Sequence, residues 1–119
     1  MSGSELARER CVACRPGAPA ATPGQQAQWL TGLPGWSVRV EDGVPVLVRR
    51  YRCRDFSAAL ACAQAIGAVA DAEDHHPRLV VEWGQLEVSW WTHVISGLHR
   101  NDFIMAARTD AEVAAHAGL

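Results

Sequence analysis

Apolar and polar residues alternate in four short segments of the chain, and this pattern predicts four β-strands. Residues 36–40 and 44–51 lie on either side of Glu41-Asp42-Gly43, a sequence typical of a tight hairpin turn. Residues 79–83 and 86–93 form a second such pair around Gly84-Gln85. In the last strand one face carries Leu86, Val88, Trp90 and Thr92, and the other carries Glu87, Ser89, Trp91 and His93. We therefore predict two antiparallel hairpins.

Three further segments repeat apolar residues at helical spacing. The predicted helices cover residues 23–31, 56–72 and 102–116, with Thr22, Asp55 and Asn101 as their N-caps. The residues expected to face inward are Trp29 and Leu30 in the first helix and Phe56, Leu60, Ala63, Gly67 and Ala70 in the second, where Ala59, Ile66 and Val69 widen the stripe. In the third they are Phe103, Ala106, Ala107, Asp110 or Ala111, and Ala114.

The predicted order of elements is α-β-β-α-β-β-α. Strands joined by short turns pair antiparallel, and a sheet with one hydrophobic face needs helices over that face. We therefore predict an α+β fold, a four-stranded antiparallel sheet with the helices packed on one face. Proline and glycine punctuate the chain before Pro23, so we expect a flexible N-terminal tail over residues 1–22 and a single domain over residues 23–119.

Composition narrows the class of protein without pointing to a function. The chain has 119 residues, of which 49% are hydrophobic and 20% charged, which is typical of one folded domain. A net charge of −2 supplies no basic surface, so we expect no nucleic-acid partner. All eleven basic residues are arginine, which excludes a catalytic lysine and a lysine-dependent phosphate loop.

The chain also lacks the pattern of a membrane or secreted protein. The helix-like uncharged run of residues 56–70 is shorter than the roughly 20 residues that a bilayer requires. Residues 1–10 lack the apolar core of a secretory signal. We expect a cytoplasmic protein with no membrane contact.

The four cysteines are Cys11, Cys14, Cys53 and Cys62. Without a secretory signal we do not expect a disulfide framework. Cys11 and Cys14 have the spacing of half a zinc site, but the sequence holds no second such pair. Two interpretations of this pair remain: it binds a metal or takes part in redox chemistry, or it belongs to a tail that has no fixed role.

Titratable side chains concentrate at the end of the second predicted helix. Asp71 and His75 are four residues apart, so we expect the carboxylate to hold the imidazole in one tautomer. His76 follows, and Pro77 ends the helix. His93 ends the strand beside the one after Pro77, so three imidazoles are expected at one edge of the sheet. Histidine, with an unperturbed pKa of about 6.5, serves as acid or base near neutral pH.

The same histidines also fit other roles. His75 and His76 can cap the helix C-terminus, and His93 can be a strand residue with satisfied hydrogen bonds. A zinc site built from all three is a further alternative. Adjacent histidines seldom bind one tetrahedral ion, and no His-x-His or His-Glu-x-x-His spacing is present.

The combined spacing is more specific than any single residue. It comprises Asp71-x-x-Asp74-His75-His76-Pro77, Trp83, Thr92-His93 and Asp102, together with Cys11-x-x-Cys14, Leu33-Pro34-Gly35-Trp36 and Gly97-Leu98-His99-Arg100-Asn101-Asp102-Phe103. This set, which covers essentially the whole chain, resembles the pterin-4a-carbinolamine dehydratases, also called 4a-hydroxytetrahydrobiopterin dehydratases, and the bacterial members in particular. That family has the element order predicted above.

The resemblance implies an enzyme that removes water from a 4a-hydroxytetrahydropterin to give the quinonoid dihydropterin, with no metal or organic cofactor. It implies that His75, His76 and His93 are the catalytic residues. We expect His75, backed by Asp71, to act as the acid toward the C4a hydroxyl, His76 to orient the pterin, and His93 to be the partner acid or base. Supporting or binding roles are expected of Asp74, Pro77, Trp83, Thr92 and Asp102, although Asp102 equally fits a first-turn helix residue.

The resemblance also implies partners. Relatives form dimers or tetramers, so we expect a homodimer or homotetramer, and the substrate implies a functional link to an aromatic amino-acid hydroxylase. Two positions depart from the pattern: Leu79 stands where many relatives have an aromatic residue, and Trp83 where some have tyrosine. Both bear on which pterin side chain is preferred.

Two other classes of function stay open. Some relatives act through protein partners, so the chain can be a binding or assembly module. A metal-dependent hydrolase on the same histidines is the other alternative. Relatives that only bind tend to lose histidines, and all three are present here, which favours the enzyme.

Overall fold

The computed structural model describes residues 2–12 and 15–116. Its elements in chain order are α1 (Gly3–Ala7), α2 (Pro23–Leu30), β1 (Ser37–Glu41), β2 (Val44–Arg52), α3 (Phe56–Glu73), β3 (Arg78–Glu82), β4 (Gln85–Trp90), a 3-10 turn (His93–Ile95) and α4 (Arg100–Ala115). The predicted α+β class is confirmed, with α1 added in front of the predicted order.

The four strands form one antiparallel sheet in the order β1-β2-β4-β3. Asp42 and Gly43 both have positive φ, 51° and 78°, which gives the turn type that matches the twist of a two-residue hairpin. Because β3 and β4 pair antiparallel, the start of β3 lies beside the end of β4, with Arg78 opposite Ser89. Residues just before β3 and just after β4 therefore meet at one corner of the sheet.

Helices α3 and α4 cover one face of this sheet. The strand residues that point toward them are Leu47, Tyr51, Leu86, Val88 and Trp90, all of them buried. Helix α3 presents small side chains to the sheet, among them Ala59 and Ala63, and these allow the helix to pack closely against the strands. Among the described residues, no helix is both long enough and apolar enough to pass through a bilayer.

The packed face of α3 overlaps the predicted one: Ala59, Ala63, Ile66 and Ala70, which were expected to face inward, are buried. Phe56 and Leu60, which were expected to point inward, are 46% and 43% exposed. The buried residues are Ala58, Ala59, Cys62, Ala63, Ile66 and Ala70. Apolar residues surround most of this helix, so periodicity identified the centre of the packed face but wrongly included Phe56 and Leu60.

Residues 2–12 are folded onto the domain, contrary to the predicted tail over residues 1–22. Ser2 caps α1 by accepting the Glu5 N–H, and Leu6 is fully buried where α1 packs on α4. Ala21, at the predicted boundary, is buried as well. A five-residue helix with a single large apolar residue carries no periodic pattern, so the sequence did not reveal it.

Helix α4 also begins differently from the prediction. Its N-cap is His99 and not Asn101, because the His99 ring accepts the Asn101 N–H. Its buried face includes Ile104, Met105, Thr109 and Val113 besides the predicted Phe103, Ala106 and Ala107, whereas Ala111 and Ala114 are exposed.

Candidate active site

His75 lies at the point where the chain leaves α3. Asp74 ends the helix in the left-handed conformation, with φ of 49°, and the His75 N–H then bonds to the Ala70 carbonyl at 3.2 Å. Pro77 prevents any return to helix and leads into β3. The turn carries His75 into the interior and leaves His76 and Asp74 exposed.

A buried carboxylate holds the His75 ring. Asp102 Oδ1 lies 2.7 Å from His75 Nε2; the side chains are 0% and 5% exposed. Asp102 Oδ2 accepts hydrogen bonds from Thr92 Oγ1 and from the His99 N–H, both at 2.9 Å. Both oxygens are thus satisfied, as a buried carboxylate requires. Because a carboxylate only accepts, the His75–Asp102 bond puts a proton on Nε2 and fixes the tautomer.

Trp90 supports the same ring from one side. The Trp90 and His75 rings are stacked, with centroids 5.6 Å apart and planes 8° from parallel. Trp90 itself is anchored by a 3.1 Å hydrogen bond from its Nε1 to Thr109 Oγ1 of α4. Position, tilt and tautomer of His75 are therefore all set by buried neighbours.

Asp71 pairs with His76, which corrects the prediction that it supports His75. Asp71 Oδ1 is 2.9 Å from His76 Nε2, and both side chains are well exposed, at 81% and 55%. The left-handed Asp74 rotates residue 75 away from the helical face of Asp71, so spacing by four no longer makes the two residues neighbours. The site thus contains one buried His–Asp pair and one exposed pair.

His93 directly follows Thr92, whose hydroxyl binds Asp102 of the buried pair, and it lies outside the strand predicted to contain it. β4 ends at Trp90, because Thr92 and Gly97 form a β-bridge that closes a tight loop, and His93 starts the 3-10 turn within that loop. The exposed His93 ring contacts Trp91, with centroids 4.6 Å apart. Thr92 therefore connects His93 to the His75–Asp102 pair: it precedes His93 in the chain, and its hydroxyl donates to Asp102.

Trp83 is not near these residues. It lies in the β3–β4 turn, at the far end of the hairpin from His75 and His93, and is 74% exposed. Five residues of β3 separate the two ends, roughly 16 Å at the usual rise of a strand. The predicted role of Trp83 as a wall of this site is therefore wrong within a single chain.

His99 belongs to the site, although the sequence did not single it out. Its backbone N–H binds Asp102 Oδ2, and its Nδ1 accepts the Asn101 N–H at 3.0 Å. Burial lowers the pKa of His99 below 6.5; nearby Asp102 opposes this and nearby His75 adds to it. A neutral His99 ring is therefore favoured. His99 lies three residues before Asp102, which is the spacing of a capping box. That spacing is the feature of the sequence from which His99 could have been predicted as part of the site.

The cysteines contribute no metal site that the structure describes. Cys53 and Cys62 are buried, and burial raises the pKa of both thiols. Cys14 lies outside the described residues, so the chemistry predicted for Cys11 and Cys14 stays a prediction. Within residues 2–12 and 15–116, no three His, Cys, Asp or Glu side chains are grouped to hold a metal ion, the three candidate histidines included.

The fold and this corner of the sheet define a class: a small α+β protein with histidine–carboxylate pairs that suit proton transfer. A family model described as pterin 4 alpha carbinolamine dehydratase matches residues 19–112. The chain belongs to that family, and the resemblance noted from its motifs is confirmed.

Curated relatives carry the same description. "Putative pterin-4-alpha-carbinolamine dehydratase 1" of Gloeobacter violaceus is 50% identical over 113 residues, which are 95% of this chain and 97% of the relative. A protein of Syntrophotalea carbinolica, named "Putative pterin-4-alpha-carbinolamine dehydratase", is 49% identical over 106 residues, 89% of this chain and 95% of the relative. These alignments extend well beyond the motif.

Two solved structures share the fold. A transcriptional coactivator/pterin dehydratase from Brucella melitensis superposes with a TM-score of 0.71 at 26% identity, covering 79% of this chain and 98% of that one. A pterin dehydratase-like protein identified as a RuBisCO assembly factor in the alpha-carboxysome gives a TM-score of 0.56 at 19% identity, covering 66% and 88%. At that identity the second likeness concerns the fold alone.

Proposed function

We propose that this protein dehydrates 4a-hydroxytetrahydropterins to quinonoid dihydropterins. The C4a–OH bond breaks, the hydroxyl leaves as water with a proton from an acid, and a base takes a ring N–H proton as the C=N bond forms. Electrons are redistributed within the ring, so the step needs no oxidant, reductant or cofactor. General acid and base catalysis typically contribute about 10²–10⁴-fold each.

The observation that carries the proposal is the buried His75–Asp102 pair, built into a chain of this family. A carboxylate that orients one nitrogen of an imidazole is the common arrangement of catalytic histidines. Asp102, not Asp71, is the residue positioned to support His75. Burying a charged carboxylate has a substantial energetic cost, and the three hydrogen bonds that offset it converge beside His75.

The three histidines have different surroundings, and their proposed roles follow from these. His75, fixed by Asp102 and Trp90, is the acid toward the C4a hydroxyl: as an imidazolium it keeps the Nε2 proton on Asp102 and gives up the proton on Nδ1. His93, exposed beside Trp91, is the partner acid or base. His76, exposed and paired with Asp71, orients the pterin. The proposed substrate has to be produced by another enzyme, and we propose an aromatic amino-acid hydroxylase as the source of the 4a-hydroxytetrahydropterin.

We further propose that the chain self-associates as a homodimer or homotetramer. Phe56 and Leu60 form an exposed apolar pair on the outer side of α3, and Val38 and Val40 are exposed on the edge strand β1. Exposed apolar side chains grouped in this way are typical of interaction surfaces.

The test is the rate of 4a-hydroxytetrahydropterin dehydration, followed by ultraviolet absorbance. Wild type is compared with His75→Ala, His76→Ala and His93→Ala proteins that keep wild-type circular dichroism. We expect acceleration over the spontaneous reaction that falls by at least tenfold in the His75 and His93 variants, and less in the His76 variant. A wild-type protein that gives no acceleration would refute the enzyme and favour a binding or assembly module.

A further inference from the structure

A cavity lies beside His99, the residue whose backbone N–H binds Asp102 of the buried pair. It has a volume of about 360 Å³ and is lined by Val12, His99 and residues 15–19. That volume lies within the range of small-molecule sites. None of the three candidate catalytic histidines lines it, so the proposed chemistry does not account for it.

The wall of this cavity is fixed by hydrogen bonds. The Val12 N–H and carbonyl both bind the Asn101 side chain, at 3.0 and 2.8 Å. The Ala18 N–H closes a turn onto the Arg15 carbonyl at 3.1 Å, with Gly17 at φ of 82° as such a turn requires. Farther on, the Ala21 N–H donates to the Leu98 carbonyl at 2.8 Å. We call residues 15–21 the strap; its contacts hold it over His99.

His99 supplies a hydrogen-bond donor at this cavity. Because His99 Nδ1 accepts the Asn101 N–H, the neutral ring carries its proton on Nε2. The His99 residue is 93% buried, being 7% exposed, and its Nε2 makes no hydrogen bond to the part of the chain that the structure describes. This donor is therefore available to an acceptor that enters the cavity.

The charge of the lining also indicates the kind of acceptor. Arg15 is the charged residue of the lining, and no carboxylate is among the lining residues. The nearby Arg100 is neutralised by Glu9, with 2.7 Å between Arg100 Nη2 and Glu9 Oε2. A guanidinium and an N–H donor together suit a carboxylate or a phosphate.

We propose that this cavity is a subsite for an acidic substituent on C6 of the pterin, a side chain that ends in a carboxylate or phosphate and binds Arg15 and His99. The inference rests on the proposed function. His99 joins the two regions, since its N–H contacts Asp102 while its ring lines the cavity. C6 lies two bonds from the reacting C4a through one ring nitrogen, so one pterin can engage both.

The test compares the 4a-hydroxy forms of two tetrahydropterins, one with a methyl group on C6 and one with a C6 side chain ending in phosphate. Wild type should show a kcat/KM about tenfold higher for the phosphorylated substrate, mainly through KM. In Arg15→Gln and in His99→Ser, where serine keeps an N-cap, this ratio should fall toward one. Arg52→Gln removes an exposed arginine elsewhere and should keep the wild-type ratio.

Three results would overturn the subsite. One is equal kcat/KM for the two substrates in wild type; another is a ratio that survives in both variants. The third concerns added inorganic phosphate: if it alters the rate with the methyl substrate, the cavity binds a free anion instead. If it competes only with the phosphorylated substrate, the proposal is supported. If neither substrate is dehydrated faster than spontaneously, the proposed function fails. Calorimetric titration of the oxidised phosphorylated and methyl pterins then tests the subsite alone.

Discussion

Asp102 Oδ1 contacts His75 Nε2 across 2.7 Å, although the two residues are 27 positions apart and belong to α4 and the loop after α3. The contact depends on two local features, the left-handed Asp74 that turns His75 inward and the capping box that aims Asp102 at the start of α4. The same carboxylate thus takes part in capping the N-terminus of α4 and orients the His75 ring.

Removing the charge of Asp102 should therefore impair catalysis far more than removing that of Asp71. We expect Asp102→Asn to lower kcat by about 10²–10⁴-fold, because the amide no longer fixes the tautomer and charge environment of His75. Asp71→Asn, which changes only the exposed pair, should cost less than about tenfold, and it serves as the matched control. The measurement is kcat across a pH series, with folding checked by circular dichroism. Equal losses in both variants would contradict the assignment.

Local sequence patterns predicted most of the fold because the forces involved act between near neighbours. Asp42-Gly43 takes the positive φ values that its hairpin needs, and Asp55 accepts the Ala58 N–H at 2.8 Å as an N-cap. Thr22 and Gln25 form a reciprocal capping box. Each of these contacts spans two or three residues, so spacing along the chain is sufficient to find it.

The candidate site was predicted as a set of residues but not as a set of contacts. Asp71 was assigned to His75 by helical spacing, and one left-handed residue reverses that pairing in favour of His76. Trp83 belongs to the motif yet lies at the opposite end of a hairpin. Partners chosen by tertiary packing, such as Asp102 for His75, leave no local pattern that identifies them.

Glu73 should make stability depend on pH. Its side chain is 3% exposed; it accepts the Cys11 N–H and pairs with Arg10 and Arg108, at 3.0, 2.9 and 3.0 Å. Burial alone raises the pKa of Glu73, but the Cys11 N–H and the two arginines outweigh it, so the pKa lies below 4.5. A lowered pKa stabilises the folded state above the unfolded-state value, and this contribution disappears as pH falls through the folded-state pKa.

We therefore expect Glu73→Gln to reduce the free energy of unfolding by about 1.5–3 kcal/mol at pH 7, the usual range for hydrogen bonds to a charged group. The difference from wild type should shrink as the pH falls below 4.5. Urea denaturation from pH 7 to pH 3 measures it. The exposed Glu82, changed to Gln, is the control, and a difference that grows toward low pH would contradict the account.

Asp110 should be a stability residue remote from the candidate site. Its Oδ1 accepts hydrogen bonds from Trp36 Nε1 at 3.0 Å, Arg49 Nη1 at 2.7 Å and the Tyr51 hydroxyl. Burial, the hydrogen bond and the charge of Asp110 raise the pKa of Tyr51, which keeps the phenol a donor. The Arg49 guanidinium fills the space beside Gly35, where a Cβ would lie 2.4 Å from Arg49 Cζ.

We expect Asp110→Ala to destabilise the fold by about 2–4 kcal/mol, since three donors lose one acceptor, and Tyr51→Phe by about 1–2 kcal/mol. Chemical denaturation measures both. The kcat of the folded fraction should stay within about twofold of wild type, because none of these residues contacts the His75–Asp102 pair. A large loss of kcat with unchanged stability would contradict this assignment.

Phe56 and Leu60 provide the test of self-association. They are four residues apart on α3 and 46% and 43% exposed, so they form one apolar ridge on the outer side of the helix. Leu60→Glu places a charge in that ridge, and burying an unpaired charge at an interface is costly. We expect light scattering at micromolar concentration to show an oligomer for wild type and a smaller species for Leu60→Glu. Ser57→Glu, which adds the same charge to an exposed position beside Phe56 but off the ridge, should keep the wild-type mass. If Leu60→Glu also keeps that mass while remaining folded, α3 is not the surface through which the chains associate.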